Sequence, residues 1–278
     1  MLKRYAALAL LLAALVGLPD PVPAGAFTQL GDTAPEATAN CPNGAGDNLV
    51  QPFSQPSPGP GLFPFSYTVA EPGVIVRWFH AGPGGEASAG SGRLLVWRPT
   101  ENFAPGDRSG NEFRLVGESD REQFAPGTTL TWPVRIPVLP GDVLGLRAES
   151  DTVGCTISRQ PDGFRFYNGP NPADRSIHEF GAERANRQVN VSANMEADSD
   201  QDGWGNESQD FCPEVTGPDN GCPLPPPEEG ETGNAFEVSG TVRIRLPGSN
   251  EFVTLDGGES LPIGTLFDTR RGEVRLDT

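Results

Sequence analysis

Short apolar runs separated by Gly- and Pro-rich breaks dominate the chain from residue 65 to residue 196. Most runs are rich in Val, Ile, Leu and aromatic residues, a composition typical of β-strands. No segment keeps the 3.6-residue period of an amphipathic helix over three turns. The pattern predicts nine strands, at 65–69, 73–80, 93–98, 112–118, 130–138, 142–149, 154–158, 164–168 and 187–196.

The alternation within these runs indicates how the strands pack. In 73–80 both alternating sets of positions carry large apolar residues, whereas in 187–196 one set is apolar and the other is Asn and Ser. The second pattern is typical of a strand with one wet face. Short strands at regular spacing indicate an all-β fold, and we predict an antiparallel β-sandwich of jelly-roll type over residues 27–196.

The segments before the first strand predict export and then irregular structure. Residues 1–26 combine Lys3 and Arg4, an apolar run too short to span a bilayer comfortably, and the small-residue pattern at 24–26. This is the pattern of a secretion signal, so we expect a secreted or cell-surface protein that starts near Phe27 and has no membrane span after cleavage. Residues 27–64 are turn-rich and poorly periodic, and four prolines in 51–61 favour irregular backbone.

Cysteine content and charge narrow the class of protein. An exported chain with four cysteines favours two disulfides, and spacing favours Cys41 with Cys155 and Cys212 with Cys222, although three pairings are open. The formal net charge is −17, and Lys3 is the only lysine. So acidic a chain is repelled by nucleic acid and anionic membranes and attracts cations.

The C-terminal part changes in composition twice. Residues 223–234 are rich in Pro, Glu and Gly, which predicts a solvated linker. In residues 235–278 we predict strands at 237–246, 251–255 and 273–277. Three or four strands make a very small core, so this small β segment could be the opening of a larger domain cut short in this chain.

The segment 197–222 between these parts carries the clearest candidate chemistry. Asp198, Asp200 and Asp202 occupy every second position, and Gly203 follows, where a tight turn needs an unusual backbone angle. Calcium takes six to eight oxygen ligands, and this spacing arranges carboxylates around one point. The spacing therefore predicts a calcium site to which the Trp204 carbonyl also contributes.

The far end of this loop leaves an alternative open. Asn206 is a further candidate ligand, directly or through water. The position where a calcium hand places a bidentate Glu is the neutral Gln209, so either Asp210 or Glu207 closes the site. Pro213 helps to exclude a flanking helix. The competing interpretation is a solvated acidic linker with no ion.

The order of these residues resembles the thrombospondin type 3 repeat over residues 196–222. The matching residues are Asp198, Asp200, Asp202, Gly203, Gly205, Asn206, Asp210, Cys212 and Pro213. The resemblance implies calcium ligation by Asp198, Asp200, Asp202, Asn206 and Asp210, in a segment braced by disulfides.

Two further resemblances concern the rest of the chain. The whole arrangement is similar to exported β-sandwich proteins of high-GC bacteria. Residues 261–276 are similar to a segment of FecR-like periplasmic β domains. Neither resemblance brings an assigned activity to this chain.

Other residues add little chemistry. His80 and His178 have no nucleophile partner in the sequence, so we expect structural or surface roles. Trp78, Trp97 and Trp132 lie in predicted strands, so we expect core positions instead of a sugar-stacking platform.

Two classes of function therefore stay open. The first is a non-enzymatic exported protein that binds calcium and uses its sandwich to contact an unknown protein or glycan. The alternative is a carbohydrate-binding module or a jelly-roll glycan hydrolase, which would need exposed aromatics or paired carboxylates in a cleft. We favour the first class.

Overall fold

The fold is all-β and antiparallel, as the sequence predicts. The computed structural model describes residues 27–33, 39–40, 45–53, 66–82, 89–100, 110–150, 154–157, 163–181, 183–255 and 257–278. The described residues contain no helix. The predicted signal at 1–26 and Cys41 lie outside them, as does the side chain of Cys155, so the Cys41–Cys155 disulfide stays a prediction.

Nineteen strands are formed by the described residues. Those up to residue 150 are β1 Thr28–Gly31, β2 Ala39–Asn40, β3 Asp47–Phe53, β4 Gly73–Ala81, β5 Gly90–Pro99, β6 Glu112–Glu118, β7 Glu122–Phe124, β8 Thr129–Val138 and β9 Val143–Ala148. The others are β10 Gly154–Ile157, β11 Gly163–Asn168, β12 Ile177–Glu179, β13 Arg184–Ala185, β14 Arg187–Val189, β15 Val191–Glu196, β16 Thr232–Arg245, β17 Val253–Thr254, β18 Gly258–Pro262 and β19 Leu266–Asp277.

Two large sheets form the sandwich. One has four strands in the order β1-β15-β4-β8, and the other has the order β12-β6-β5-β9-β3-β11-β13, with β7 also paired to β5. A small third sheet, β14-β10-β2, lies where the chain leaves one layer for the other. The main core lies between the layers and includes Ile75, Trp78, Leu94, Leu144 and Val191.

The larger sheet is apolar on both faces. Leu94 and Val96 of β5 point into the main core, whereas Leu95 and Trp97 point into a second cluster on the opposite face. Phe180, which follows β12, is buried in that second cluster. This explains why residues 94–97 of β5 are continuously apolar and do not alternate with polar residues.

Three sequence predictions were wrong about the strands. Residues 27–64 are not wholly irregular, because β1 pairs with β15 and β3 lies inside the larger sheet between β9 and β11. The run 65–69 forms no strand in its described residues, where only Thr68 bridges to Val143. The run 187–196 is two strands, because the chain passes at Asn190 from the small sheet to the four-stranded sheet.

The C-terminal residues form a separate four-stranded sheet. β16 is central, with β17 and β18 on one side and β19 on the other. Its small core consists of Ala235, Val242, Ile244, Leu255 and Leu261. β16 begins inside the segment predicted as linker, and β18 was not predicted.

Among the residues that the structure describes, no helix is sufficiently long and hydrophobic to span a membrane.

Candidate metal site

The acidic segment leaves the sandwich directly from the end of β15. Glu196, the last residue of that strand, is buried, and its Oε2 accepts hydrogen bonds from the amides of Glu207 and Ser208 (both 2.9 Å). The Asn206 amide donates to the Ala197 carbonyl (3.0 Å). The loop from 197 to 206 is therefore closed at its base by backbone and carboxylate hydrogen bonds.

Within this loop the three alternating aspartates converge. One carboxylate oxygen from each of Asp198, Asp200 and Asp202 lies within 4.8 Å of the others, and all three residues are half-buried. The amides of Asp202 and Gly203 donate to the Asp198 carboxylate (3.2 and 3.0 Å). Gly203 has φ +87°, so the predicted need for glycine at this turn is confirmed.

Asp210 is close enough to Asp200 and Asp202 for their charges to affect its carboxyl, and it is more deeply buried than they are, with 7% of its surface exposed. Its Oδ1 accepts a hydrogen bond from the Cys212 amide (2.7 Å), and Cys212 forms the predicted disulfide with Cys222. The Asp210 Oδ2 is buried without a hydrogen-bond partner, and so is Oδ2 of Asp200. A buried carboxylate oxygen without a donor is costly, so some positive group should neutralise this pair.

The pKa values of two of these carboxyl groups are raised, as expected for acidic groups that are buried close to one another. Burial raises the pKa of the Asp210 carboxyl, and the charges of Asp202 and Asp200 raise it further. Burial also raises the pKa of Asp198, with a contribution from Asp202. In the described part of the chain, no arginine forms an ion pair with any of these four carboxylates.

The other predicted ligands take different positions. The Asn206 amide group is bonded to Ser199 across the loop, with Oδ1 accepting from the Ser199 amide (3.0 Å) and Nδ2 donating to Ser199 Oγ (2.6 Å). The Trp204 ring lies under the Arg135 guanidinium, 3.9 Å from Cζ to the ring centroid. Glu207, the alternative to Asp210, is exposed. The converging group itself consists of Asp198, Asp200 and Asp202. Asp210 lies outside that group, but its carboxyl is buried and is affected by the charges of Asp202 and Asp200.

The segment also contacts the β units on both sides of it. On the sandwich, the Gln209 side chain donates to the Val134 carbonyl of β8 (2.9 Å), and Gly205 is buried against Val76. On the C-terminal sheet, Pro218 lies against Gly258. The acidic segment is therefore packed between two β units.

Two residues of the site were not found from the sequence. Glu196 supports the loop from a strand end nine positions before Gly205, and no local pattern marks it. Gly221 has φ +82°, and a β-carbon there would overlap the Asp210 carboxylate. The one available signal was the Asn220–Gly221 dipeptide, which is typical of a tight turn.

No protein-family model, characterised protein or solved structure is significantly similar to this chain. The resemblance to a thrombospondin type 3 repeat, and that to FecR-like domains, therefore stay predictions from the motifs alone.

Proposed function

We propose that residues 198–210 bind one calcium ion, and that the ion fixes the joint between the sandwich and the C-terminal sheet. The observation that carries this proposal is the pair of buried, donor-free Oδ2 atoms on Asp200 and Asp210, beside the converging Asp198 and Asp202. A cation at this point would neutralise four carboxylates that otherwise repel one another.

The donor set favours calcium over other common ions. All the candidate ligand atoms are oxygens, whereas zinc prefers nitrogen and sulfur. Cys212 and Cys222 are consumed in a disulfide, and His80 is buried elsewhere in the core. Magnesium requires a strict octahedron, while calcium accepts the flexible geometry that a loop of this kind offers.

A structural role follows from where the segment is held. Its contacts with Val134 on one side and with Gly258 on the other make it the physical connection between the two β units. Little apolar material is buried within the segment itself, so ordering must come from the disulfide, the backbone hydrogen bonds and the ion. We propose that the protein is non-enzymatic and exported, as the sequence predicts, and that calcium is its ligand.

The tryptophans weigh against the carbohydrate-binding alternative. Trp78 and Trp97 are fully buried, and Trp132 packs on Trp78 with ring centroids 4.7 Å apart. These residues contribute to the core and are not available as an exposed platform for sugars. The sandwich's unknown partner, a protein or a glycan, is therefore proposed to bind without stacking on these three tryptophans.

Limited proteolysis tests the proposed joint. Calcium binds only the ordered segment, so millimolar calcium should slow cleavage between residues 196 and 212, and chelator should restore it. Asp200→Asn should remove this protection while far-UV circular dichroism stays unchanged. Equal cleavage rates with calcium and with chelator in the wild-type protein would contradict the proposal.

A further inference from the structure

The outer edge of β19 is open in the described part of the chain. β19 pairs along its inner edge with β16, and no other described strand pairs with it. Residues 266–277 contain no Pro, so every residue of this edge has a backbone N–H. The edge carries charges of both signs, which oppose pairing with an arbitrary strand and favour one of complementary charge. Within the described chain, the outward-facing backbone donors and acceptors of this edge are therefore left for a further strand.

The C-terminal half of β19 is the regular part of that edge. The register with β16 shifts twice. Near 269–270 the extra residue lies in β19, whereas opposite 273–274 the extra residue is Val238 of β16, so β19 itself runs from 271 to 277 without an extra residue. Arg271, Glu273, Arg275 and Asp277 point to one face of the sheet, and all four are exposed. Gly272, Val274 and Leu276 alternate with them, and Val274 packs on the small core.

We propose that a second copy of this chain pairs antiparallel with this edge, along a two-fold axis through Val274. Two identical antiparallel strands related by a two-fold axis must be centred on a residue, because adjacent pairs alternate in hydrogen bonding. Centring on Val274 uses all seven regular residues. It also joins the two C-terminal sheets into one continuous sheet.

The charges select this register over its neighbours. Centred on Val274, Glu273 lies opposite the partner's Arg275, and Arg271 lies opposite the partner's Asp277. Each of these pairs occurs twice because of the symmetry. Opposite charges directly across an antiparallel pair are favourable, and like charges are unfavourable.

The two adjacent symmetric registers place like charges together. Centring on Glu273 puts Arg271 opposite Arg275, and centring on Arg275 puts Glu273 opposite Asp277. The sequence of this edge is thus complementary to itself in one register. The opposite face of the strand, which carries Val274, also fits this register. Leu276, 51% exposed in the single chain, falls opposite the partner's Gly272, where no side chain competes for space.

The expected association is reversible and weak. A single strand pair buries less surface than a permanent dimer requires. Each chain also carries a formal net charge of −17, so the copies repel at low ionic strength. Sedimentation of the full chain at physiological ionic strength, over a concentration series reaching the millimolar range, should show a monomer–dimer equilibrium.

Charge reversal provides the decisive test. Glu273→Arg and Arg275→Glu should each abolish self-association, because each places like charges opposite one another. An equimolar mixture of the two variants should form a heterodimer, because the arginine introduced into one variant then faces the glutamate introduced into the other. Glu251→Arg, an exposed charge reversal away from the edge, should associate like the wild type.

Three results would overturn the proposal: a wild-type monomer at every concentration, undiminished association of either single variant, or a mixture of folded variants that stays monomeric. Circular dichroism shows whether each variant keeps its strand content. If Arg275→Glu fails to fold, Arg271→Asp and Asp277→Arg form a second pair, with the same expectation for each alone and for the mixture.

Discussion

At the scale of single residues, the candidate site includes positions that tolerate little substitution. Gly221 shows this most directly, because the Asp210 carboxylate occupies the space that a β-carbon would need. Gly230 has a similar backbone angle, φ +77° against +82°, but nothing lies within 4 Å of its β-carbon position. The two glycines therefore separate backbone strain from the loss of the Asp210 position.

We expect Gly221→Ala to weaken calcium binding at least about tenfold, whereas Gly230→Ala should leave the affinity unchanged. Both variants carry a left-handed strain of about 1–2 kcal/mol, but only the first displaces a proposed ligand. Isothermal titration calorimetry on both proteins checks this. Equal affinities in the two variants would show that Asp210 is not a ligand.

A buried histidine adds a pH dependence that is independent of the metal. His80 is enclosed in the core, with Nδ1 2.7 Å from the Asn190 carbonyl and its ring 4.1 Å from that of Phe124. Burial lowers the pKa of His80 to about 4. Its predicted structural role is therefore consistent with a histidine that stays neutral in the folded protein.

The unfolded chain protonates His80 near pH 6.5, before the folded protein does. Its contribution to stability is thus complete above pH 6.5 and is lost as the pH falls towards 4, by on the order of 3 kcal/mol. Urea denaturation of wild type and His80→Gln across this range should show a steeper loss in the wild type. Parallel curves would mean that His80 is accessible to protons in the folded state.

At the scale of elements, apolar periodicity predicted the strands whose burial depends on their own side chains. β5 and β6 were found because their apolar residues fill cores on one or both faces. β3 was missed because its buried residues include polar ones. Gln51, for example, donates to the Gly163 carbonyl (3.1 Å) and accepts from the Val189 amide (2.9 Å). Such pairing is tertiary and leaves no local pattern.

The acidic loop was predictable for the opposite reason. Asp198, Asp200 and Asp202 meet within one tight turn, so spacing alone brings them together. Glu196 and the docking of Gln209 on Val134 depend on where the sandwich places β8 and β15. The local half of the site could therefore be inferred from the sequence, and its support from the neighbouring strands could not.

The second core on the larger sheet leads to an element-scale prediction. Phe180 is fully buried there, 5.0 Å between ring centroids from Trp97 and 5.2 Å from Phe113. Phe180→Ala should lower the free energy of unfolding by about 3–5 kcal/mol, because it leaves a cavity. Ile177→Ala, at a side chain 48% exposed, should change it by about 0.5 kcal/mol or less. Chemical denaturation would measure both, and similar losses would show that the outer face has no core of its own.

At the scale of the whole molecule, two β units are joined by a packed acidic segment, and we propose that this segment orders on binding calcium. The sandwich has two apolar clusters, whereas the C-terminal sheet has a small one and, among the described strands, an edge at β19 that none of them pairs with. The joint between them carries carboxylates and little apolar surface. Calcium is therefore expected to change how the two units move relative to each other more than it changes either fold.

The most direct test of the central claim is a calorimetric titration of calcium into the folded, disulfide-intact protein. We predict one site with a dissociation constant of about 10⁻⁴ to 10⁻³ M, the range of extracellular calcium modules. Asp210→Asn should weaken it strongly, whereas Glu207→Gln, the same chemical change at an exposed carboxylate three residues earlier, should not. Absence of calcium binding in the wild-type protein would contradict the claim and leave the segment as a solvated acidic connection.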